Sequence, residues 1–407
     1  MDRDLKIMDQ RATILLSKAQ LLAVKALTLA IPVSHPLVFA GENSSMQLCG
    51  NIAQLGMKKA LIVTDAVLVK LGVIQPIVDE LNQKGLDVVI FSEVKPDPTC
   101  EIVENSLAVF KANQCDCVLG IGGGSTIDTA KVLALAAANN KTPKQLFGIL
   151  KSRKPAYPLF VIPTTAGTGS EVTIAAVISD SQTHIKGLVI DPKVVPLATA
   201  LDPIIMKGMP PAITADTGID ALTHAIESWV SGFANKQSDY YASAAMKLIL
   251  NHLKTAYEDG QNIAAREAMA LGSHYAGLAM NSAGIGYVHA LAHQLGTQYQ
   301  IAHGRANAIV LPHVLEFNRK ASEKRLALAA RKIGLCNQNT SDEQAAGIFI
   351  QSVKQLLKDL EIKTEIPNLK KQDFPAMIKS AFSEAHGIYA VPRYMNYADA
   401  ERILNML

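Results

Sequence analysis

Five polar residues in an 84-residue stretch constrain this chain more than any other feature: Asp220-x3-His224, His289-x3-His293 and His303. Residues four apart share one face of an α-helix, so each pair can aim two donor atoms at a single point. A fold that uses them together must bring two helices and the His303 segment to a common centre. Asp220 and His224 lie in a run of helix formers from Thr214 to Glu227, with Asp216 or Thr217 available as a cap. Gly284-Ile-Gly286 interrupts regular structure just before His289. Any one of these histidines reads as an ordinary polar residue on a buried helix; it is the combination that points to metal. Three imidazoles and one carboxylate suit a borderline divalent ion such as iron(II) or zinc, whereas calcium and magnesium prefer oxygen.

Upstream, Cys115-Asp-Cys-Val-Leu-Gly120-Ile-Gly-Gly-Gly124-Ser125 reads as a buried strand entering a glycine turn, and a helix follows from Thr126. Glycines let backbone N–H groups approach a pyrophosphate, and the helix N-terminus adds favourable partial charge. The run departs from G-x-G-x-x-G, since Ser125 stands where the third glycine would fall. Such turns also occur without a ligand. A second loop, Pro163-Thr-Thr-Ala-Gly-Thr-Gly-Ser-Glu171, offers hydroxyl and amide groups at the end of another apolar strand. Asp65 closes the strand Ala60–Thr64, where a carboxylate can accept from a ribose 2′-hydroxyl and would repel a 2′-phosphate, or can cap the next helix near Val67.

Together these segments resemble the iron-containing (group III) alcohol dehydrogenase family. The resemblance runs from about residue 35 to the C-terminus and is densest between 120 and 318, where Asp220-Ala-Leu-Thr-His-Ala-Ile-Glu227 and His303-Gly-x-x-Asn-Ala-x-x-Leu-Pro-His313 match at length. It implies that Asp220, His224, His289 and His303 are the metal ligands and that His293 is a further active-site histidine beside substrate and nicotinamide. It also implies a pyrophosphate loop of Gly122, Gly123, Gly124 and Ser125 with Asp128 on the following helix, and a ribose and nicotinamide side lined by Thr164, Thr165 and Ser170. Asp65, Asp97 and Lys186 match positions near the cofactor riboses. The implied cofactors are NAD, in preference to NADP, and iron(II), with zinc also compatible with the donor set; the family's usual assembly is a homodimer. One departure is Gln294, which follows His293 where many relatives carry proline and makes that wall more polar.

Composition agrees. With 407 residues, 49% hydrophobic and 18% charged, the chain can bury large cores in two domains. A net charge of +3 and the absence of a basic stripe with interleaved aromatics exclude an obvious nucleic-acid binder. Five cysteines form neither a CxxC zinc pattern nor a disulfide framework, which suits a reducing cytoplasm. Cys115 and Cys117, two apart on one strand, are expected to share a face. Ile14 to Ile31 is apolar but interrupted by Lys18 and Lys25, a poor membrane span; residues 1–34 read as an N-terminal helical extension that packs on the body or a neighbouring subunit, or else anchors weakly at a membrane surface.

The fold expected is an α/β N-terminal domain with a parallel Rossmann-like sheet over 35–205, followed by an all-α metal-binding domain over 206–407, the dehydroquinate synthase-like and iron-alcohol dehydrogenase architecture. Candidate strands are 60–64, 88–91, 118–121 and 159–162, alternating with candidate helices 68–83 and 102–112. The reaction is expected where the two domains face each other, with hydride moving between a small alcohol and NAD(P) and His293 relaying the proton, or else orienting the substrate or donating a hydrogen bond to a group beside the metal. Two other readings are a dehydroquinate synthase-like lyase, which should line its cleft with more lysine and arginine than Lys236, Lys247, Lys254 and Arg266 provide, and a non-catalytic NAD-binding scaffold. The remaining histidines, His35, His184, His252, His274, His313 and His386, show no usable spacing.

Overall fold

Runs of β-branched and aliphatic residues alternate with helical segments through the first half of the chain, and the structure, a computed structural model, turns that alternation into a parallel sheet. It describes residues 17, 19–21, 34–181 and 186–407, so most of the N-terminal extension and His184 lie outside the described residues. Two compact units emerge: Pro32–Pro211 with Glu258–Gly277, and Ala212–Tyr257 with Leu278–Leu407.

The first unit contains β1 (Leu37–Ala40), α1 (Ser44–Gln54), β2 (Lys59–Val63), α2 (Ala66–Lys70), α3 (Gln75–Gln83), β3 (Asp87–Phe91), α4 (Cys100–Ala112), β4 (Cys117–Gly122), α5 (Gly124–Asn139), β5 (Gly148–Ile149), β6 (Leu159–Pro163), β7 (Ala175–Ser179), β8 (Lys186–Ile190), β9 (Ala198–Leu201) and α6 (Pro203–Met206). Six strands form one sheet in the order β1-β9-β6-β4-β2-β3, every neighbouring pair parallel. β4 and β6 are buried along their whole length, which is why their sequences are unbroken apolar runs. Leu61, Val63, Val118 and Val161 fill one core, while Ala60, Ile62, Leu119 and Ile162 fill another, so successive residues alternate between the two sides of the sheet.

From β2 the chain moves outward to β3, then returns to place β4 on the other flank of β2. The strand order therefore reverses between β2 and β4, and a crevice at the carboxyl ends of these strands is where open α/β sheets bind ligands. Asp65 follows β2, Gly122 ends β4 and Thr164 follows β6, so three expected cofactor positions stand at the ends of adjacent strands.

Several expectations need correction. The helix expected over 68–83 is two helices, α2 and α3, because Gly72 adopts a left-handed φ of 70° and Pro76 starts the second. Cys115 and Cys117 do not share a face: β4 begins only at Cys117, after a turn with Gln114 at φ 53°, and the two thiols fall in opposite cores. β1, β9 and the small sheet β5-β8-β7 went unforeseen, being short and, in β1, mostly exposed.

The described elements of the second unit are helical: α7 (Pro211–Val230), α8 (Lys236–Glu258), the end of α9 (Ile263–Ala283), α10 (Tyr287–Tyr299), α11 (His303–Ile333), α12 (Asp342–Asp359), α13 (Phe374–Ala385) and α14 (Tyr397–Leu404). α7 starts at Pro211, so Asp216 and Thr217 lie inside the helix and are not its cap. Proline is well tolerated there, its missing N–H being one that a first helical turn leaves unpaired anyway. Among the described residues no helix is long and apolar enough to cross a membrane.

Candidate metal centre and nucleotide loops

In the first unit the glycine turn is shaped by what packs against it. A Cβ on Gly122 would collide with Thr126, and one on Gly124 would sit 2.6 Å from Thr168 Cγ2. The Thr164 amide donates to the Gly122 carbonyl at 3.0 Å, joining the two loops. Gly122, Gly123, Gly124, Ser125, Thr164, Thr165 and Ser170 thus form one cluster at the ends of β4 and β6, with the N-terminus of the 16-residue α5 rising from it.

Asp128 belongs to this cluster through protein contacts: its carboxylate accepts from Ser170 Oγ at 2.6 Å and from the Val177 amide at 2.9 Å. One turn later the buried Lys131 donates to the Thr173 carbonyl at 2.7 Å, Thr173 Oγ1 at 3.0 Å and the Ala175 carbonyl at 2.9 Å. These bonds tie α5 to the segment from Ser170 to Val177. Burial pushes the Lys131 ammonium down to about 8, against the pull of Asp128 and Glu171. Glu171 is buried in turn and meets His274 Nδ1 at 3.1 Å, a partner the sequence did not reveal.

Asp65 caps α2: its Oδ1 accepts from the Val67 and Leu68 amides at 2.9 and 3.0 Å. Asp97 and Lys186 come together at 3.4 Å, and Asp97 also accepts from Ser179 Oγ at 2.8 Å.

In the second unit, Asp220 and His224 project from the same face of α7, His289 from the first turn of α10, and His303 from the first residue of α11. One donor atom from each lies within 4.8 Å of the other three. Asp220 Oδ1 stands 3.9 Å from His224 Nε2, 3.7 Å from His289 Nε2 and 3.4 Å from His303 Nε2. Four tetrahedral donors at bond lengths of about 2.1 Å stand about 3.4 Å apart, so the separations from Asp220 Oδ1 come close to what a first-row divalent ion requires. Asp220, His224 and His289 are buried, while the His303 side chain is 41% exposed and leaves an accessible side.

The donors are prepared for a cation. Buried His289 Nε2 makes no hydrogen bond, an arrangement that costs stability unless a ligand occupies it. Burial opposes charge on Asp220, yet His224 and His303 beside it hold its carboxyl well below the usual range. Glu227, two turns along α7 from Asp220, accepts His289 Nδ1–H at 2.6 Å, which makes Nε2 the nitrogen that faces the cluster. The same carboxylate accepts the Gly286 and Val288 amides at 2.8 and 2.7 Å, so it also caps α10. Gly286 is needed there, because a Cβ would lie 2.8 Å from Glu227 Oε1. On α11, Asn307 Nδ2 donates to Asp220 Oδ1 at 2.7 Å and Arg305 Nε to Asp216 Oδ1 at 2.6 Å, fixing the helix that carries His303.

His293 stands one turn beyond His289, its ring stacked 5.2 Å from that of His303. Its Nδ1 meets Glu384 Oε1 of α13 at 2.6 Å. Glu227, Glu384 and Asn307 were missed as functional residues. Glu227 was findable, since it shares the Asp220 face at i+7; Glu384 is 91 residues from His293 and carried no local signal. His386, whose spacing gave no indication of a partner, meets the Tyr287 hydroxyl at 2.8 Å.

Comparison with known proteins places this arrangement among others. Residues 36–203 match the family model described as iron-containing alcohol dehydrogenase, and residues 214–407 match that for the C-terminal part of the Fe-containing alcohol dehydrogenase family. The chain is 39% identical over 351 residues to the NAD-dependent methanol dehydrogenase of Bacillus methanolicus, covering 86% of this chain and 92% of that protein. It is 38% identical over 362 residues to the 1,3-propanediol dehydrogenase of Klebsiella pneumoniae, covering 88% and 93%. Among solved structures, a 1,3-propanediol oxidoreductase superposes with a TM-score of 0.88 at 36% identity, covering 92% of this chain and all of the other.

Proposed function

The chain belongs to the iron-containing alcohol dehydrogenase family, and on that premise we propose that Asp220, His224, His289 and His303 hold its iron(II) and that His293 handles the substrate proton. The protein is an NAD-dependent oxidoreductase that interconverts small alcohols with aldehydes or ketones. The lyase and scaffold alternatives are not favoured, since the relatives bear oxidoreductase names. The observation that carries the metal assignment is the convergence of one carboxylate and three imidazoles within 4.8 Å.

When bound, iron(II) polarises the alcohol or carbonyl oxygen and NAD accepts or returns the hydride. The protein's own residues do the rest. Glu227 orients His289, Asn307 orients Asp220, and the exposed flank of His303 gives the substrate oxygen access. Gly122, Gly123, Gly124 and Ser125, at the start of α5, receive the pyrophosphate; Thr164, Thr165 and Ser170 line the ribose and nicotinamide side, with Asp128 holding Ser170 in place. Asp65 meets the adenosine ribose and disfavours a 2′-phosphate, while the Asp97–Lys186 pair lies toward the cofactor. Residues 35–205, joined by 258–277, serve the nucleotide, and the rest of 206–407 the metal and substrate.

The substrates are short primary alcohols and diols, a reading supported by the methanol and 1,3-propanediol activities named for the relatives. The protein works as a homodimer in the cytoplasm, where its five free cysteines, four of them buried, stay reduced. A panel of short alcohols and diols, assayed with NAD+ and NADP+ on anaerobically iron-loaded protein, tests the reading. Alcohol-dependent absorbance at 340 nm, larger with NAD+ and lost on chelation, is expected. No alcohol in the panel giving a signal above the metal-free control would reject it.

A further inference from the structure

Glu384 is the hub of a small network around His293. Its Oε1 receives His293 Nδ1 at 2.6 Å and the Tyr389 hydroxyl at 2.6 Å, and its Oε2 receives Gln294 Nε2 at 3.5 Å. All three partners belong to α10 or to the segment just after α13. We propose that Glu384 is a positioning residue that locks His293 in the Nδ1–H tautomer, so that Nε2 keeps its lone pair for the substrate proton. The inference rests on the reading of His293 given above.

An ionised carboxylate only accepts hydrogen bonds, so the atom facing Glu384 must carry the proton. A neutral imidazole holds a single N–H, and placing it on Nδ1 leaves Nε2 bare. Only a neutral ring can take up the substrate proton, so which of its two nitrogens carries the hydrogen decides whether Nε2 is available. Glu384 stays ionised: burial works against its charge, but His293 and Tyr389 outweigh it and hold the carboxyl below the usual range.

The network also fixes the ring's position. Tyr389 and Gln294 hold the carboxylate from two further directions, so it cannot swing away without breaking their bonds as well. The His289–Glu227 pair on the same helix has the same form, Nδ1 to a carboxylate at 2.6 Å. Two histidines one turn apart on α10 are thus oriented by two carboxylates from different helices. His289 then presents its Nε2 to the metal cluster and His293 presents its own to the substrate.

Nitrogen NMR of the full-length, zinc-loaded protein labelled with 15N-histidine reads the tautomer directly, with the His293 signals identified by their loss in H293Q. The wild type is expected to show a protonated Nδ1 and a bare Nε2. E384Q, whose amide carbonyl can still accept, should keep that pattern, whereas E384L should show a mixture. With it, kcat for a short alcohol should fall about 100-fold in E384L and less than about tenfold in E384Q, KM staying nearly constant. A wild-type His293 protonated on Nε2 overturns the proposal even if E384L fails to fold, and so does an E384L spectrum unchanged from wild type. Because the tautomer is read without turnover, a protein that oxidises no alcohol would remove the proposed function and leave this result to stand or fall alone.

Discussion

Glu227 Oε2 and His289 Nδ1 lie 2.6 Å apart, joining the buried carboxylate of one helix to the first turn of another. Because Glu227 also accepts the Gly286 and Val288 amides, one residue sets both where α10 begins and which nitrogen of His289 is free. The position of His289 and the start of its helix are therefore a single structural fact.

Replacing Glu227 should weaken metal binding without removing a ligand. E227Q keeps an acceptor for His289 but loses the charge, and outer-sphere changes of this kind cost about 10- to 100-fold in metal affinity. E227A additionally leaves two helix-start amides without their partner and should lower stability by about 1–3 kcal/mol. Competitive chelator titration and urea unfolding check the two effects, and equal affinities in wild type and E227A would show that the contact does not matter for the metal.

The cap that Asp65 makes and the cofactor role proposed for it are separated by one substitution. D65N retains a good helix cap, since asparagine serves nearly as well as aspartate, but it removes the charge that would oppose a 2′-phosphate. The expected result is an unchanged melting temperature together with at least a tenfold shift of the kcat/KM ratio from NAD toward NADP. A fallen melting temperature with no change in cofactor preference would leave capping as its role.

Lys131 gives a pH dependence of definite sign. Its folded-state value is pushed down to about 8 by burial, below the ordinary value of about 10.4 for an exposed lysine. Between these values the unfolded chain holds a proton that the folded chain has released, so Lys131 makes stability rise with pH across that window, by about 1.4 kcal/mol per unit. Below about 8 both states are protonated and the penalty for the buried charge is fully present. The buried cysteines titrate in the opposite sense, so the informative quantity is the difference between wild type and K131M. That difference should move in favour of wild type between pH 8 and 10 in urea unfolding, and a flat difference would contradict it.

Much of this was legible in the sequence, and for identifiable reasons. Asp220 and His224, like His289 and His293, are spaced by one helical turn, so local periodicity alone put each pair on one face. The fully buried strands β4 and β6 announced themselves as unbroken apolar runs ending in glycine or threonine loops. What stayed hidden depends on contacts between distant segments. Nothing near His293 signals Glu384, nothing near Glu171 signals His274, and the opposite placement of Cys115 and Cys117 depends on where β4 begins. The edge strand β1 was missed for a different reason: mostly exposed, it lacks the apolar signature of the central strands.

Asp220, His224, His289 and His303 are proposed to act as one iron site. Iron content of anaerobically loaded protein, measured for wild type and for D220N, H224Q, H289Q and H303Q, tests it most directly. A single iron per chain is expected in the wild type and a loss of most of it in each variant, with folding intact by circular dichroism. Full iron retention in any two of the four folded variants would contradict it.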